Sequence, residues 1–153
     1  MTDTAPSVPR PVSIAFTGVV VALLAGVAEA LVHTAVALDT AEADVGGLAV
    51  GLAVRAALYL AVLAAAVLMS RGSHPARLAL TLGLGVVGLS SLLIEPATAV
   101  LDGGIPWSAA TPGTLLIAVL RAVHVAAVLV AVPAMWASGA RAHFAGRHTT
   151  SFG

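Results

Sequence analysis

Cysteine and lysine are both absent from this 153-residue sequence, and its seven Lys or Arg positions are all arginine. The lack of cysteine excludes disulfide bonds, thiolate metal sites and cysteine nucleophiles. Aromatic residues make up only 4% of the chain and charged residues only 9%. A soluble domain has roughly 25% charged residues, so this chain cannot cover itself with a solvated surface. Because the formal net charge is zero, no nucleic-acid partner is expected.

Apolar residues are abundant, at 59% of the chain, and the mean hydropathy is +1.05. Four apolar runs each reach the roughly 20 residues that a membrane-spanning helix requires. The sequence therefore predicts an all-α membrane protein, a bundle of four transmembrane helices. The predicted spans are about 12–38, 47–69, 78–101 and 114–136, within a transmembrane domain over 12–136, flanked by a disordered tail (1–11) and a basic tail (137–153).

The arginines outside the spans predict the orientation. They lie in the N-terminal tail, in the turn around 71–77 and in the C-terminal tail, whereas the loop acids beyond Asp3 lie in the two other loops. Positive charge concentrates on the cytoplasmic side of membrane proteins. We therefore expect a protein of the plasma (inner) membrane with both termini in the cytoplasm.

The charged residues inside the spans indicate a tandem duplication. They are Glu29, Arg55, Glu95 and Arg121, and 26 positions separate the members of each Glu–Arg couple. A shift of 66 residues superposes both couples. This repeat predicts two hairpins, about 12–70 and 77–136, related as parallel repeats by an axis along the membrane normal. Glu29 and Arg55 lie roughly 15 Å and 12 Å from their outer loop at 1.5 Å per residue, so the charges share one layer.

These charges form the candidate site, because ionisable residues inside a membrane are costly and usually functional. At 100° per residue, both glutamates fall on stripes of small residues, which let helices pack closely. One tyrosine and one histidine lie about a turn deeper than the arginines, and another histidine lies a turn from Glu29. The predicted ligand-binding residues are Glu29, His33, Arg55, Tyr59, Glu95, Arg121 and His124.

Two roles remain open for the charged layer. Two glutamates match two arginines in number, so Glu–Arg salt bridges could lock the helices without any ligand. Alternatively, Arg55 and Arg121 could hold a lipid phosphate or a carboxylate. Glu29 and His33, at positions i and i+4, could also share a proton or a metal ion with Glu95 or His124. No cofactor is assigned, and a metal ion remains an alternative, because such ligands select a metal poorly.

The run Gly83-Leu84-Gly85-Val86-Val87-Gly88 matches G-x-G-x-x-G. The dinucleotide fingerprint requires a preceding strand and a βαβ unit. This run lies inside an apolar helix, so it does not indicate a nucleotide site.

The leading functional hypothesis is non-enzymatic: a protein that binds or translocates a small ion, an amphiphile or a lipid headgroup through the charged layer. The first alternative is a membrane-embedded isomerase or cyclase acting on a lipid, with Glu29, His33 and Glu95 as acid–base groups. The second is a structural subunit of a membrane complex. The expected partners are membrane lipid, a small-molecule or ion ligand, and further copies of the chain or another membrane subunit, because four spans enclose little volume.

Overall fold

The computed structural model describes residues 9–40, 43–101 and 111–140, without the side chains of Glu95, Pro96, Ala99 and Val100. Within these ranges the chain is helical apart from caps and turns. In chain order the elements are α1 (Arg10–Leu38), α2 (Val45–Ser70), α3 (His74–Leu80), a π-helical segment (Thr81–Gly88), α4 (Leu89–Leu101) and α5 (Pro112–Trp136). α3, the π-helical segment and α4 follow one another without a break and are together called the third helix.

The all-α class and the four long helices are confirmed. Within the described ranges, four helices are long and apolar enough to cross a membrane. Each begins a few residues before the apolar run predicted for it, and polar side chains cap the second, third and fourth of these helices. The Asp44 side chain accepts a hydrogen bond from the Gly47 backbone N–H at 3.0 Å, and Thr111 with Thr114 forms a capping box. Such caps satisfy backbone donors that lack a partner within the helix.

The turn between α2 and α3 depends on Gly72, whose φ is 88°. Its backbone N–H donates to the Met69 carbonyl at 2.8 Å, and the Ser73 N–H donates to the Leu68 carbonyl at 3.0 Å. These two bonds form a Schellman motif, which favours glycine in the left-handed conformation. The tight turn brings the end of α2 against the start of the third helix.

α1 and α5 run antiparallel and form the most extensive helix–helix contact. Small residues let them approach closely: a Cβ at Gly18 would lie 2.9 Å from the Cβ of Ala131. Along both helices the residues of the contact alternate in spacings of three and four, as in a coiled-coil seam. The seam residues are Val12, Ala15, Val19, Ala22, Gly26 and Glu29 of α1, and Arg121, His124, Val128, Ala131 and Met135 of α5.

The apolar core lies at the end of the bundle where α1 begins and α5 ends. It joins α1, α2, α3 and α5 through buried residues that include Val19, Met69, Leu80 and Met135. α2 packs against α3 at this end, but the described residues of α2 make few contacts, if any, with the π-helical segment and α4. The third helix therefore diverges from α2 away from the core.

The π-helical segment changes which residues share a face. Its hydrogen bonds join residues five apart, so each turn takes up more residues than an α-helical turn. At 100° per residue the sequence places Gly85, Gly88 and Ser91 on one face. In the structure, a Cβ at Gly85 would lie 3.3 Å from Val132 of α5, whereas Gly88 and Ser91 line a cavity.

Arg77 is not the exposed turn residue that the sequence indicates. It lies in α3 and is 4% exposed. Its guanidinium carbon is 4.2 Å from the ring centroid of Trp136, a cation–π geometry. The Trp136 indole also donates a hydrogen bond to the Thr81 hydroxyl at 3.1 Å. These contacts fasten the start of the third helix to the end of α5.

Candidate functional site

Glu29 of α1 and Arg121 of α5 form a salt bridge within the closest helix–helix contact. The Nη2 and Nε atoms of Arg121 donate to Oε1 of Glu29 at 2.8 and 3.0 Å. Glu29 is only 8% exposed, and a buried carboxylate is stable only with a partner of this kind. For Glu29 and Arg121, this direct contact favours the role of a salt bridge that locks two helices together, which the sequence leaves open.

Gly26 brings a tyrosine and a histidine against α1, one turn below this salt bridge. The Tyr59 hydroxyl donates a hydrogen bond to the Gly26 carbonyl at 2.9 Å. A Cβ at Gly26 would lie 3.1 Å from that hydroxyl and 3.3 Å from Nδ1 of His124. The Nδ1 atom is buried, with no hydrogen-bond partner among the described residues. The absence of a side chain at Gly26 thus lets α2 and α5 each place a polar group beside α1.

A cavity of about 620 Å³ opens beside these groups, between α1, α2, the third helix and α5. This volume is within the roughly 300–1,000 Å³ of small-molecule pockets. The π-helical segment contributes Leu84, Val87 and Gly88 to one wall, where the third helix diverges from α2. The polar lining consists of Glu29, His33, Arg55, Tyr59, Ser91, Arg121 and His124.

Arg55 differs from Arg121 in its surroundings. It is exposed to the cavity, and no described side chain forms an ion pair or hydrogen bond with it. A guanidinium stays charged in proteins. Because Glu29 and Arg121 compensate each other, Arg55 supplies the net charge among the described cavity residues. It is therefore the group that would attract an anion.

Two apolar grooves flank the cavity, one within each hairpin. The first, of about 410 Å³, lies between α1 and α2, and the second, of about 350 Å³, lies between α4 and α5. Five lining residues of the first groove correspond to five of the second under the 66-residue shift. The matched pairs are Ala56 with Ala122, Tyr59 with Val125, Leu60 with Ala126, Leu63 with Leu129, and Val27 with Leu93.

Of the seven predicted site residues, the structure brings six to the wall of one cavity, namely Glu29, His33, Arg55, Tyr59, Arg121 and His124. The side chain of Glu95 lies outside the described residues. No three His, Asp or Glu side chains in the described part of the chain are grouped so as to hold a metal ion. Nor does a hydrogen bond join Glu29 to His33 among the described contacts, and Glu29 is already bound by Arg121.

Sequence reasoning missed the π-helical wall of the cavity. The segment contains Gly83, Gly85 and Gly88, which the sequence treats as part of an ordinary apolar helix. The available signal was this concentration of glycine, because each interior glycine weakens an α-helix by roughly 1 kcal/mol relative to alanine. Segments of π-helix occur frequently at functional sites.

Comparisons with protein-family models, with curated proteins and with solved structures find no match to this chain. The function is therefore inferred from the site itself.

Proposed function

We propose that this chain is a small integral membrane protein that binds a small anionic ligand in the cavity beside Arg55. One observation carries the proposal. Arg55 presents its guanidinium to a cavity of about 620 Å³ and has no ion-pair partner among the described side chains. The neighbouring arginine is instead bound directly to Glu29. Arginine is well suited to such a site, because its fork of donors matches a carboxylate or a phosphate.

Membrane insertion is supported by the outer surface of the helices. Large apolar side chains that line neither the cavity nor the grooves are exposed on the outside of the helices, and Val50, Ile94 and Leu82 are 65%, 61% and 60% exposed. Contact of such a surface with lipid hydrocarbon costs no free energy, whereas its exposure to water is unfavourable. The arginine distribution places both termini in the cytoplasm. Cysteines introduced at Ser7 and Ser151 should then be protected from an impermeant thiol reagent in intact cells. Labelling of both would show that the termini lie outside and would contradict this orientation.

The proposed duplication of the hairpin is supported by the matched lining of the two grooves. It makes Arg55 and Glu95 the counterparts of Arg121 and Glu29. In the proposed function the two arginines have separate roles. Arg121 holds α5 to α1 through its salt bridge with Glu29, whereas Arg55 faces the ligand. His33 and His124 line the same space and supply hydrogen-bond donors that orient the anionic group.

Benzoate, a soluble carboxylate with an apolar ring, tests this proposal. A ligand that binds only the folded protein raises stability by RT ln(1 + [L]/Kd). Benzoate should therefore raise the Tm of the purified protein in detergent, and Arg55→Gln should remove most of that increase. The matched control is Arg71→Gln, which removes an exposed arginine in the turn after α2. An increase that persists in Arg55→Gln, or is missing in the wild type, would contradict the proposal.

A further inference from the structure

The groove between α1 and α2 adjoins the charged cavity. Tyr59, Leu23 and Ala30 line both spaces. Apart from the tyrosine, the groove lining is entirely apolar. It extends along α2 from Leu52 to Leu63, roughly 16 Å of helix at 1.5 Å per residue. An apolar groove thus borders a polar cavity along Leu23, Ala30 and Tyr59.

The positive charge lies at the boundary between the two spaces. Arg55 lines the cavity, and the next residue, Ala56, lines the groove. The groove between α4 and α5 lacks this arrangement, because the arginine that lines it, Arg121, is bound to Glu29. Only the first groove therefore leads to an arginine that no described side chain neutralises.

We infer that the ligand is a single-chain amphiphile with a carboxylate headgroup. The carboxylate is held by Arg55 in the cavity, and the alkyl chain lies in the groove between α1 and α2. This inference rests on the proposed function, since it requires an anion at Arg55. A monoanionic headgroup matches the single uncompensated charge of the described cavity lining, and a guanidinium can bind a carboxylate through two parallel hydrogen bonds.

Native mass spectrometry with myristate as the probe tests the inference on the full chain. Myristyl alcohol has the same chain without the charge and is the headgroup control. Ala56→Phe fills the proposed groove, and Ala122→Phe makes the same change at the matched position of the groove between α4 and α5. Loss of a charge-assisted hydrogen bond is worth about tenfold in affinity. Arg55→Gln and Ala56→Phe should each weaken myristate binding by about tenfold. Ala122→Phe should change myristate binding by less than about twofold. Myristyl alcohol should bind weakly to all variants.

The outcomes separate the inference from the proposed function. If Arg55→Gln weakens both benzoate and myristate binding while Ala56→Phe has no effect on myristate, the anion site stands and the groove assignment is wrong. If Ala122→Phe is as damaging as Ala56→Phe, or the alcohol binds as well as myristate, the inference is also overturned. If Arg55→Gln affects neither probe, both proposals fail.

The unmodified protein provides an independent measurement that does not depend on the folding of any variant. Myristate carrying a diazirine at the end of its chain should cross-link, after illumination, to α2 near Leu60 and Leu63. Label confined to α5 near Leu129 would place the chain in the other groove and contradict the inference.

Discussion

The proposed duplication makes α1 and the third helix counterparts, and the two helices differ over one matched segment. The 66-residue shift places residues 15–22 of α1 on Thr81–Gly88. The α1 segment is regular α-helix and packs closely on α5, with Gly18 against Ala131. Its counterpart is π-helical and has no comparable contact with α2 among the described residues. The pair formed by α1 and α5 is therefore closely packed (the closed pair), whereas α2 and the third helix diverge and leave the cavity between them (the open pair).

This difference separates two uses of the same charges. In the closed pair, Glu29 and Arg121 meet directly and leave no room for a ligand between them. In the open pair, Arg55 faces space instead. Under the proposed duplication, Arg121 is held in a buried ion pair while its counterpart, Arg55, faces the cavity.

The largest expected effect comes from the two arginines at matched positions. Arg121→Leu leaves Glu29 buried without its partner, and breaking a buried pair in this way costs about 3–5 kcal/mol. Arg55→Leu removes a cavity-exposed side chain and should change stability by less than about 0.5 kcal/mol. The free energies of unfolding can be compared by titration with SDS in mixed micelles.

A double change is the control for this first comparison. Glu29→Leu combined with Arg121→Leu should regain much of the lost stability, because an apolar pair of similar volume replaces a salt bridge at little cost. If Arg55→Leu proves as costly as Arg121→Leu, then Arg55 is itself part of a structural pair, with Glu95 as the partner that the duplication predicts. That result would remove the basis for an anion site.

Rare residues made much of this site predictable from sequence. In a chain with so few charges, the positions of Glu29 and Arg121 inside apolar runs restrict where they can go, and Glu29 lies among the buried small residues of α1. The four helices followed from hydropathy alone. The sequence grouped seven residues in one candidate site, and six of them line one cavity.

The remaining features depend on interactions that periodicity does not encode. Whether the third helix bonds residues four or five apart over Thr81–Gly88 depends on its packing against α5, so a 100° rotation per residue misplaced Gly85. The burial of Arg77 depends on Trp136, which lies far away in sequence. Charge counting read Arg77 only as a marker of orientation, because long-range partners cannot be identified from one sequence.

The second prediction compares glycines in the closed and open helices. Gly18→Ala places a Cβ 2.9 Å from Ala131 and 3.1 Å from the Ala127 carbonyl oxygen, and such overpacking costs about 1–3 kcal/mol. The control is Gly83→Ala, whose Cβ would have nothing within 4 Å. It should be neutral or stabilising by up to about 1 kcal/mol, since alanine reduces the freedom of the unfolded chain. Equal losses of stability in the two variants would show that the third helix packs as closely as α1.

The smallest expected effect concerns the hydrogen bond between Tyr59 of α2 and Gly26 of α1. The Tyr59 hydroxyl donates to the Gly26 carbonyl at 2.9 Å, whereas the matched residue of α5 is Val125, which has no hydroxyl. Tyr59→Phe keeps the ring in the groove and removes only this bond. Hydrogen bonds between helices contribute about 0.5–1.5 kcal/mol in proteins and toward the lower end in membranes. We therefore expect a loss of about 0.5–1 kcal/mol in the same SDS titration. Ser91→Ala is the control, because the Ser91 hydroxyl donates to the Gly88 carbonyl within its own helix and links no two helices. If Tyr59→Phe is no more destabilising than Ser91→Ala, this hydrogen bond does not stabilise the contact between α1 and α2.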